Sequence, residues 1–185
     1  MKKVTLLLLL TGSMLFSQET ITTKLGAFNA VKVFSGLTVE LQKSEISKAV
    51  ITGKNSDKVS IKNKNGILKL SLSFPEGFKY DDVKIVLYYT DEIAVLDANE
   101  GSYISSNEEF EQQSLELKVQ EGAHITTPLT VKYLTIKAVS GGVINVVGTT
   151  KNQTIEANTG GIYKAFDLKS TQTIATSSAG SVVYV

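Results

Sequence analysis

Leu96-Asp97-Ala98 begins a phrase that recurs at near-regular intervals to the end of the chain. The later copies are Leu117-Lys118-Val119, Ile136-Lys137-Ala138, Ile155-Glu156-Ala157 and a weaker Ile174-Ala175-Thr176. Their first residues are spaced 21, 19, 19 and 19 residues apart, and the same spacings separate Ile104, Ile125, Ile144, Tyr163 and Val182. A shorter third column comprises Phe110, Leu129, Val147 and Phe166. Internal repeats of this length indicate a solenoid.

Within each copy, apolar and polar residues alternate. Leu115, Leu117 and Val119 are separated by polar residues, which is the period of a strand with one buried face. One copy has too few apolar residues to bury a face alone, so successive copies must stack. We therefore predict an all-β fold, a single-stranded parallel β-helix with coils of 19–21 residues over residues 91–185. The leucine-rich repeat has a similar length, but its signature is absent.

Glycines occur at one phase of this repeat, where the backbone must turn a corner. Positive φ is inexpensive only for glycine, so we expect turn conformations at these positions. They are Gly101, Gly122, Gly141, Gly142, Gly160, Gly161 and Gly180.

The first residues have the pattern of an export signal. Lys2 and Lys3 precede an apolar run that is too short to span a bilayer, and Ser17 precedes the expected cleavage site. We predict a signal peptide over residues 1–17, a mature chain from Gln18, and export to the periplasm or the cell surface. The chain has no cysteine, so it lacks both a disulfide framework and the cysteine to which a bacterial lipoprotein attaches its lipid.

The charge balance excludes some partners. The formal net charge is +1 and every basic residue is lysine, so a nucleic-acid-binding surface is not expected. No phosphate-binding loop, nucleophile elbow or repeated calcium motif occurs. We expect no cofactor, no metal, and no membrane-spanning segment after signal removal.

Residues 18–90 alternate as strands without the 19-residue period. Asn65-Gly66 lies between two alternating runs and predicts a hairpin. We expect Val83 to Tyr89 to lead into the first repeat. A solenoid must cover its terminal strand edges, so we interpret this strand-rich portion as a cap. Nothing resembling a linker separates it from the repeats, and we treat residues 18–185 as one domain.

Three features of the mature chain occur together: the segment from Phe28 to Leu41, the run Asn65-Gly66-Ile67-Leu68-Lys69-Leu70, and the Ser140-Gly141-Gly142 and Thr159-Gly160-Gly161 corners. In these features the chain resembles the putative auto-transporter adhesin, head GIN domain family of Bacteroidetes. It implies a right-handed β-helix, a secreted or envelope location and an adhesive role, and it supplies no catalytic residues. The corners at Glu100-Gly101 and Glu121-Gly122 depart from the family's Ser-x-Gly pattern.

That departure creates a candidate site. Stacked coils would place Glu100 and Glu121 one layer apart, about 5 Å at the backbone. Such carboxylates could bind a cation or act as a retaining glycosidase pair, but two solvated glutamates are the expected interpretation. Tyr103 and His124 form a parallel pair three residues later, and His124 is the only histidine.

A second candidate surface is the loop from Phe74 to Asp82, where Phe74, Phe78 and Tyr80 could stack on a sugar or anchor a partner. The alternative is that Phe74 and Phe78 plug the end of the helix. We therefore expect a non-catalytic binding or structural protein, with a cell-surface glycan or an envelope protein as partner. The alternatives are a carbohydrate-active enzyme or glycan-binding module using Glu100 and Glu121, and a self-associating scaffold formed through the apolar final strand.

Overall fold

The computed structural model describes residues 20–73 and 83–185 of the protein. The predicted signal peptide, and the loop that contains Phe74, Phe78 and Tyr80, lie outside the described residues. Within these ranges the chain is an all-β solenoid of about four turns, which confirms the predicted fold class.

Seven strands and one short 3-10 turn, Ser56–Lys58, precede the first repeat. The strands are β1 (Thr20–Lys24), β2 (Ala30–Val33), β3 (Thr38–Lys43), β4 (Lys48–Gly53), β5 (Val59–Lys64), β6 (Ile67–Leu72) and β7 (Val83–Tyr89). The Asn65-Gly66 hairpin is confirmed, because both residues have positive φ and β5 pairs antiparallel with β6.

The repeats form longer strands that stack in parallel. They are β8 (Val95–Ala98), β9 (Tyr103–Ser106), β10 (Phe110–Val119), β11 (His124–Ala138), β12 (Val143–Ala157), β13 (Ile162–Ser177) and β14 (Val182–Tyr184). In β11 the alternation of buried and exposed side chains is interrupted at Lys132 and Tyr133, which are two consecutive exposed residues. At that bend the strand passes from one wall of the solenoid to the other.

The hydrogen-bonding order defines the two walls. Wall A consists of β5, β6, β2, β8 and then the C-terminal parts of β10, β11, β12 and β13. Wall B consists of β1, β4, β7, β3, β9, the N-terminal parts of β11, β12 and β13, and finally β14. Antiparallel strands lie at the N-terminal edge of both walls, β5 on wall A and β1 on wall B.

The front half does not stack in sequence order. The coil formed by β2 and β3 lies between β6 and β8 on wall A, and between β7 and β9 on wall B. Along the chain β7 leads into the first repeat at β8, as expected, but in space β3 separates it from β9, because β7 pairs with β3 and β4.

Two apolar columns fill the interior. The column on wall A is buried throughout its length and consists of Leu68, Val31, Leu96, Leu117, Ile136 and Ile155. The column on wall B runs through Ile51, Ile85, Val39, Ile104, Ile125, Ile144 and Tyr163. Equivalent aliphatic residues thus stack from coil to coil, as the repeat predicts.

The last coil departs from the predicted columns. β13 has one extra residue relative to β12, since Asn145 pairs with Lys164 while Val147 pairs with Asp167. This bulge places Ala175 beside Ile155 and Val183 beside Tyr163, so Ile174 is 59% exposed. The third column is also wrong after Leu129, because Gly148 and Leu168 continue it while Val147 and Phe166 point outward.

A column of tight turns joins the walls. Both central residues of each turn have positive φ, the requirement of a type I′ turn. The turns are Ser35-Gly36, Glu100-Gly101, Glu121-Gly122, Ser140-Gly141, Thr159-Gly160 and Ala179-Gly180. In every turn but the last, the glycine N–H donates to the carbonyl of the residue before the glycine of the next turn, as in the bond from Gly101 to the carbonyl of Glu121 at 2.9 Å. The predicted turn role is confirmed for these glycines.

Gly142 and Gly161 have a different role. They do not adopt positive φ, contrary to the expectation, but lie against the preceding coil. A Cβ on Gly161 would lie 1.9 Å from the carbonyl oxygen of Ala138. Close approach of two backbones therefore requires glycine at this position.

The turn column predicts a stabilising substitution. Thr159 is a β-branched residue at φ 49°, where asparagine is better tolerated. Thr159→Asn should raise the free energy of unfolding by about 1 kcal/mol in chemical denaturation. Thr154→Asn, on an exposed strand position, is the matched control and should lower it slightly. A decrease with Thr159→Asn would contradict the assigned turn.

Candidate functional site: the outer face of wall B

Glu100 and Glu121 lie in consecutive turns of the column, as the spacing predicts. The Glu100 carboxylate, however, accepts a hydrogen bond from the Ser35 backbone N–H at 2.9 Å and lies 3.4 Å from the Ser35 hydroxyl. Glu121 is exposed in the next layer. Glu100 is therefore engaged with the coil on its other side.

Tyr103 and His124 are neighbours on the outer face of wall B. Their Cα atoms are register partners in β9 and β11, their ring centroids are 6.5 Å apart, and the ring planes are inclined by 48°. Both side chains are exposed, Tyr103 by 37%. The two rings form a partly accessible aromatic surface that extends over two adjacent coils.

The ring pair belongs to an outward column that sequence reasoning missed. In the sequence, each member comes one position before a residue of the core column on wall B. This one-residue offset is the signal that could have identified the outward column. The column runs Thr38, Tyr103, His124, Val143, Ile162 and Val182. These six side chains carry no carboxylate, ammonium or guanidinium group, and the column continues beyond Thr38 to Lys84.

The adjacent outward positions on wall B are mostly uncharged as well. Ser105, Thr126 and Asn145 are register partners that place hydroxyl and amide groups beside the ring pair, with Glu40 and Lys164 at the two ends of the row. Farther along the strands, the Thr130 hydroxyl lies 2.9 Å from the Thr149 hydroxyl and donates a hydrogen bond to the Glu109 carboxylate, so a charge lies at that end of the face. We call the region formed by Tyr103, His124, Val143, Thr126 and Asn145 the uncharged face.

Wall A presents a contrasting surface. Its outward column is charged and partly ion-paired: Lys32 lies 3.1 Å from Asp97 of the next coil, and Glu116 lies 3.0 Å from Lys118 of its own strand and 3.5 Å from Lys137 of the next coil. A shallow depression of about 170 Å³ lies among Asp97, Lys118, Lys137 and Glu156. The ion-paired side chains compensate one another and offer a ligand less free charge than their number suggests.

A second depression of about 240 Å³ lies where wall B bends toward wall A. Its floor contains Tyr89 and Phe110, whose rings stack 5.7 Å apart. Burial, with a smaller contribution from the Glu108 carboxylate, raises the pKa of Tyr89 to about 12, so the phenol stays protonated at neutral pH. The Glu108 carboxylate accepts a hydrogen bond from the backbone N–H of Lys43 at 2.9 Å.

The structure thus brings together two of the predicted site residues, Tyr103 and His124, and places Glu100 and Glu121 in the adjoining turns. Residues 20–73 and 83–185 contain no group of three or more side chains suited to hold a metal ion. Nor do these ranges include a helix that is long and apolar enough to cross a membrane.

Comparison with protein families matches residues 27–185 to the family described as "Putative auto-transporter adhesin, head GIN domain". No curated protein matches the chain. Several crystal structures share the fold.

A "putative adhesin" from Bacteroides fragilis superimposes with a TM-score of 0.76 at 12% identity, covering 92% of this chain and 98% of that one. A "putative adhesin" from Parabacteroides merdae gives 0.66 at 17% identity, with coverages of 90% and 80%. A "putative lipid binding protein" from Parabacteroides distasonis gives 0.59 at 15% identity, with coverages of 91% and 96%. At these identities the likeness establishes the fold alone.

Proposed function

Because the chain belongs to the putative auto-transporter adhesin, head GIN domain family, we propose that it is a non-catalytic binding protein of the cell envelope. Its contact surface is the uncharged face of wall B, and its ligand is a neutral cell-surface glycan. Residues 18–185 act as one domain, exported by the leader over residues 1–17 to the periplasm or the cell surface. The N-terminal residue of the purified protein, expected to be Gln18, tests the export step.

The observation that carries this proposal is the outward column of Tyr103, His124, Val143 and Ile162. Beside it lies an uncharged polar row, with charged residues only at the ends of that row. The centres of binding interfaces are depleted in charge and enriched in tyrosine. Wall A has the opposite character, with ion pairs across its coils. The asymmetry between the walls favours wall B as the contact surface.

The chemistry of the uncharged face favours a neutral glycan. Aromatic rings offer flat apolar surface to the apolar side of a sugar ring, while hydroxyl and amide groups such as those of Thr126 and Asn145 exchange hydrogen bonds with its hydroxyls. An uncharged ligand also leaves no buried charge to compensate. The spacing of about 4.8 Å between coils repeats these groups along the axis and suits an extended polymer.

No feature of the described residues favours the carbohydrate-active enzyme alternative. A retaining pair needs one carboxylate free to attack and another to donate a proton. Glu100 is instead hydrogen bonded to the Ser35 backbone and faces the neighbouring turn. The turns containing Glu100 and Glu121 form a convex corner between the walls rather than an enclosed groove.

Binding to immobilised neutral and uronate-containing polysaccharides tests the proposal. The double variant Tyr103→Ala/His124→Ala should weaken binding to neutral polysaccharide by about tenfold or more, since removing buried aromatic anchors typically costs more than 1 kcal/mol. The matched control, Lys118→Ala/Lys137→Ala on wall A, should bind as the parent does. Affinity should change little between low and high salt, because no charge pair is involved.

Two results would contradict the proposal. Loss of binding in the wall A control with retention in the wall B variant would move the contact surface to the other wall. Binding only to a protease-sensitive envelope fraction, abolished by Tyr103→Ala/His124→Ala, would keep the surface but replace the glycan by a protein.

A further inference from the structure

The last coil of the solenoid has an open edge. Among the described residues, β14 pairs only with β13, and residues 165–177 of β13 pair only with β12. Their backbone N–H and C=O groups that point away from the preceding coil continue the hydrogen-bonding pattern of both walls. Such an edge is a template for another strand.

Apolar side chains collect at this end. Phe166 is 70% exposed, Val185 66% and Ile174 59%, and the Phe166 and Tyr184 ring centroids are 4.8 Å apart. The bulge in β13 creates part of this exposure, because it turns Ile174 outward. The contiguous part of this exposure is the Phe166–Tyr184 pair, and exposed apolar patches mark interaction surfaces.

The two ends of the solenoid differ in charge. The sequence from Ser170 to Val185 contains no charged side chain. At the opposite end, the edge strands β1 and β5 carry Lys24, Lys62 and Lys64. Lysines on an edge strand are a common protection against pairing with another chain, and the C-terminal edge has none after Lys169.

We infer that the C-terminal end pairs with the same end of a second copy of this chain. A two-fold axis perpendicular to both walls would bring β13 against its copy in antiparallel orientation, and β14 likewise. That rotation keeps inward side chains inward, so both sheets and the core continue across the junction. With the axis passing near Ala175, the neighbouring side chains such as Ile174 lie close to their own copies; like charges there would repel, and the sequence from Ser170 onward is uncharged.

The interior at this end suits close approach of two copies. The aliphatic core gives way to a polar network, in which the Tyr163 hydroxyl donates to Gln153 at 2.9 Å and the Gln153 amide donates to Thr173 at 2.9 Å. Burial raises the pKa of Tyr163, which keeps this hydroxyl a donor. The inward residues beyond the network are small, Ala175 and Ser177. Each copy can therefore fold alone and then join its partner without bulky side chains between them.

Sedimentation equilibrium over a range of protein concentrations tests the inference. The parent should dimerise, and Ile174→Lys should weaken dimerisation by about tenfold or more because two lysines would oppose each other. The matched control Tyr133→Lys replaces an exposed apolar residue at the distant bend and should leave dimerisation unchanged. An equimolar mixture of Ile174→Lys and Ile174→Glu chains should restore the dimer.

A parent protein that stays monomeric throughout, or dimerises equally well with Ile174→Lys, would overturn the inference. Failure of the charge-swapped mixture to associate would also overturn it, because only a contact between identical ends brings the two substituted positions together. Glycan binding is measured separately, so failure of either proposal can be recognised independently.

Discussion

Replacing Gly161 by alanine should lower the free energy of unfolding by about 3 kcal/mol, near the upper end of overpacking costs. The new Cβ would lie 1.9 Å from the carbonyl oxygen and 2.4 Å from the carbonyl carbon of Ala138. Both are backbone atoms of the preceding coil, so the clash can be relieved only by separating two hydrogen-bonded layers. Chemical denaturation measures the effect directly.

Gly122→Ala separates this clash from backbone strain. Gly122 has φ 71°, and no atom lies within 4 Å of the position that a Cβ would occupy. Alanine there should cost only the strain of the left-handed region, about 1–2 kcal/mol. A Gly161→Ala variant as stable as the parent would contradict the close contact between coils. Equal losses at both positions would point to general loss of glycine flexibility instead.

Replacing Ile136 by alanine should lower the free energy of unfolding by about 2–5 kcal/mol, the range for truncating a buried aliphatic side chain. Ile136 is fully buried between Leu117 and Ile155 of the adjacent coils. Removing its three outer carbons leaves a cavity that the stacked columns on either side cannot easily fill, since each coil is held in register by its backbone bonds. Thermal and chemical unfolding should agree on the loss.

Ile174→Ala is the matched control for the core column. The repeat pattern alone assigns Ile174 to the same column as Ile136, whereas the bulge in β13 turns it outward. At a protein concentration low enough to keep the chain monomeric, the substitution should therefore change the free energy of unfolding by less than about 0.5 kcal/mol, as for an exposed site. A loss as large as that for Ile136→Ala would show that the extra residue in β13 is not accommodated as described.

The repeat in the sequence predicts the regular coils well because the core depends on local alternation and on the spacing between copies. Leu117, Ile136 and Ile155 lie in one buried column because nothing intervenes to change their register. The bulge between Lys164 and Asp167 could not be read from hydrophobicity, since one extra residue shifts every later side chain to the other face.

The spatial order of the front coils likewise could not be predicted from the sequence pattern. Local alternation identifies β2, β3, β6 and β7 as strands but does not say which strand each pairs with. The position of β2 beside β8 has one sequence signal, because Val31-Lys32-Val33 followed by Gly36 matches Leu96-Asp97-Ala98 followed by Gly101. That match also identifies Ser35-Gly36 as the first turn of the column.

The candidate site was only partly predictable. The column spacing places Tyr103 beside His124, but the uncharged character of wall B emerges only when the outward residues of several coils are assembled. The hydrogen bond from the Ser35 N–H to Glu100 depends on the insertion of the β2 coil, so the distance between the carboxylates of Glu100 and Glu121 could not be judged from their spacing alone.

The most direct test of the account is cross-linking between consecutive coils, for which the absence of native cysteine gives a clean background. Thr135 and Thr154 are register partners on the outer side of wall A, and adjacent strands about 4.8 Å apart suit a disulfide. Thr135→Cys/Thr154→Cys should form an intrachain disulfide on mild oxidation, detected by mass and by mobility without reductant. Thr135→Cys/Gln153→Cys should not, because Gln153 points inward; cross-linking of that pair in place of the first would contradict the stacking of equivalent residues on which the core, the turn column and the uncharged face all depend.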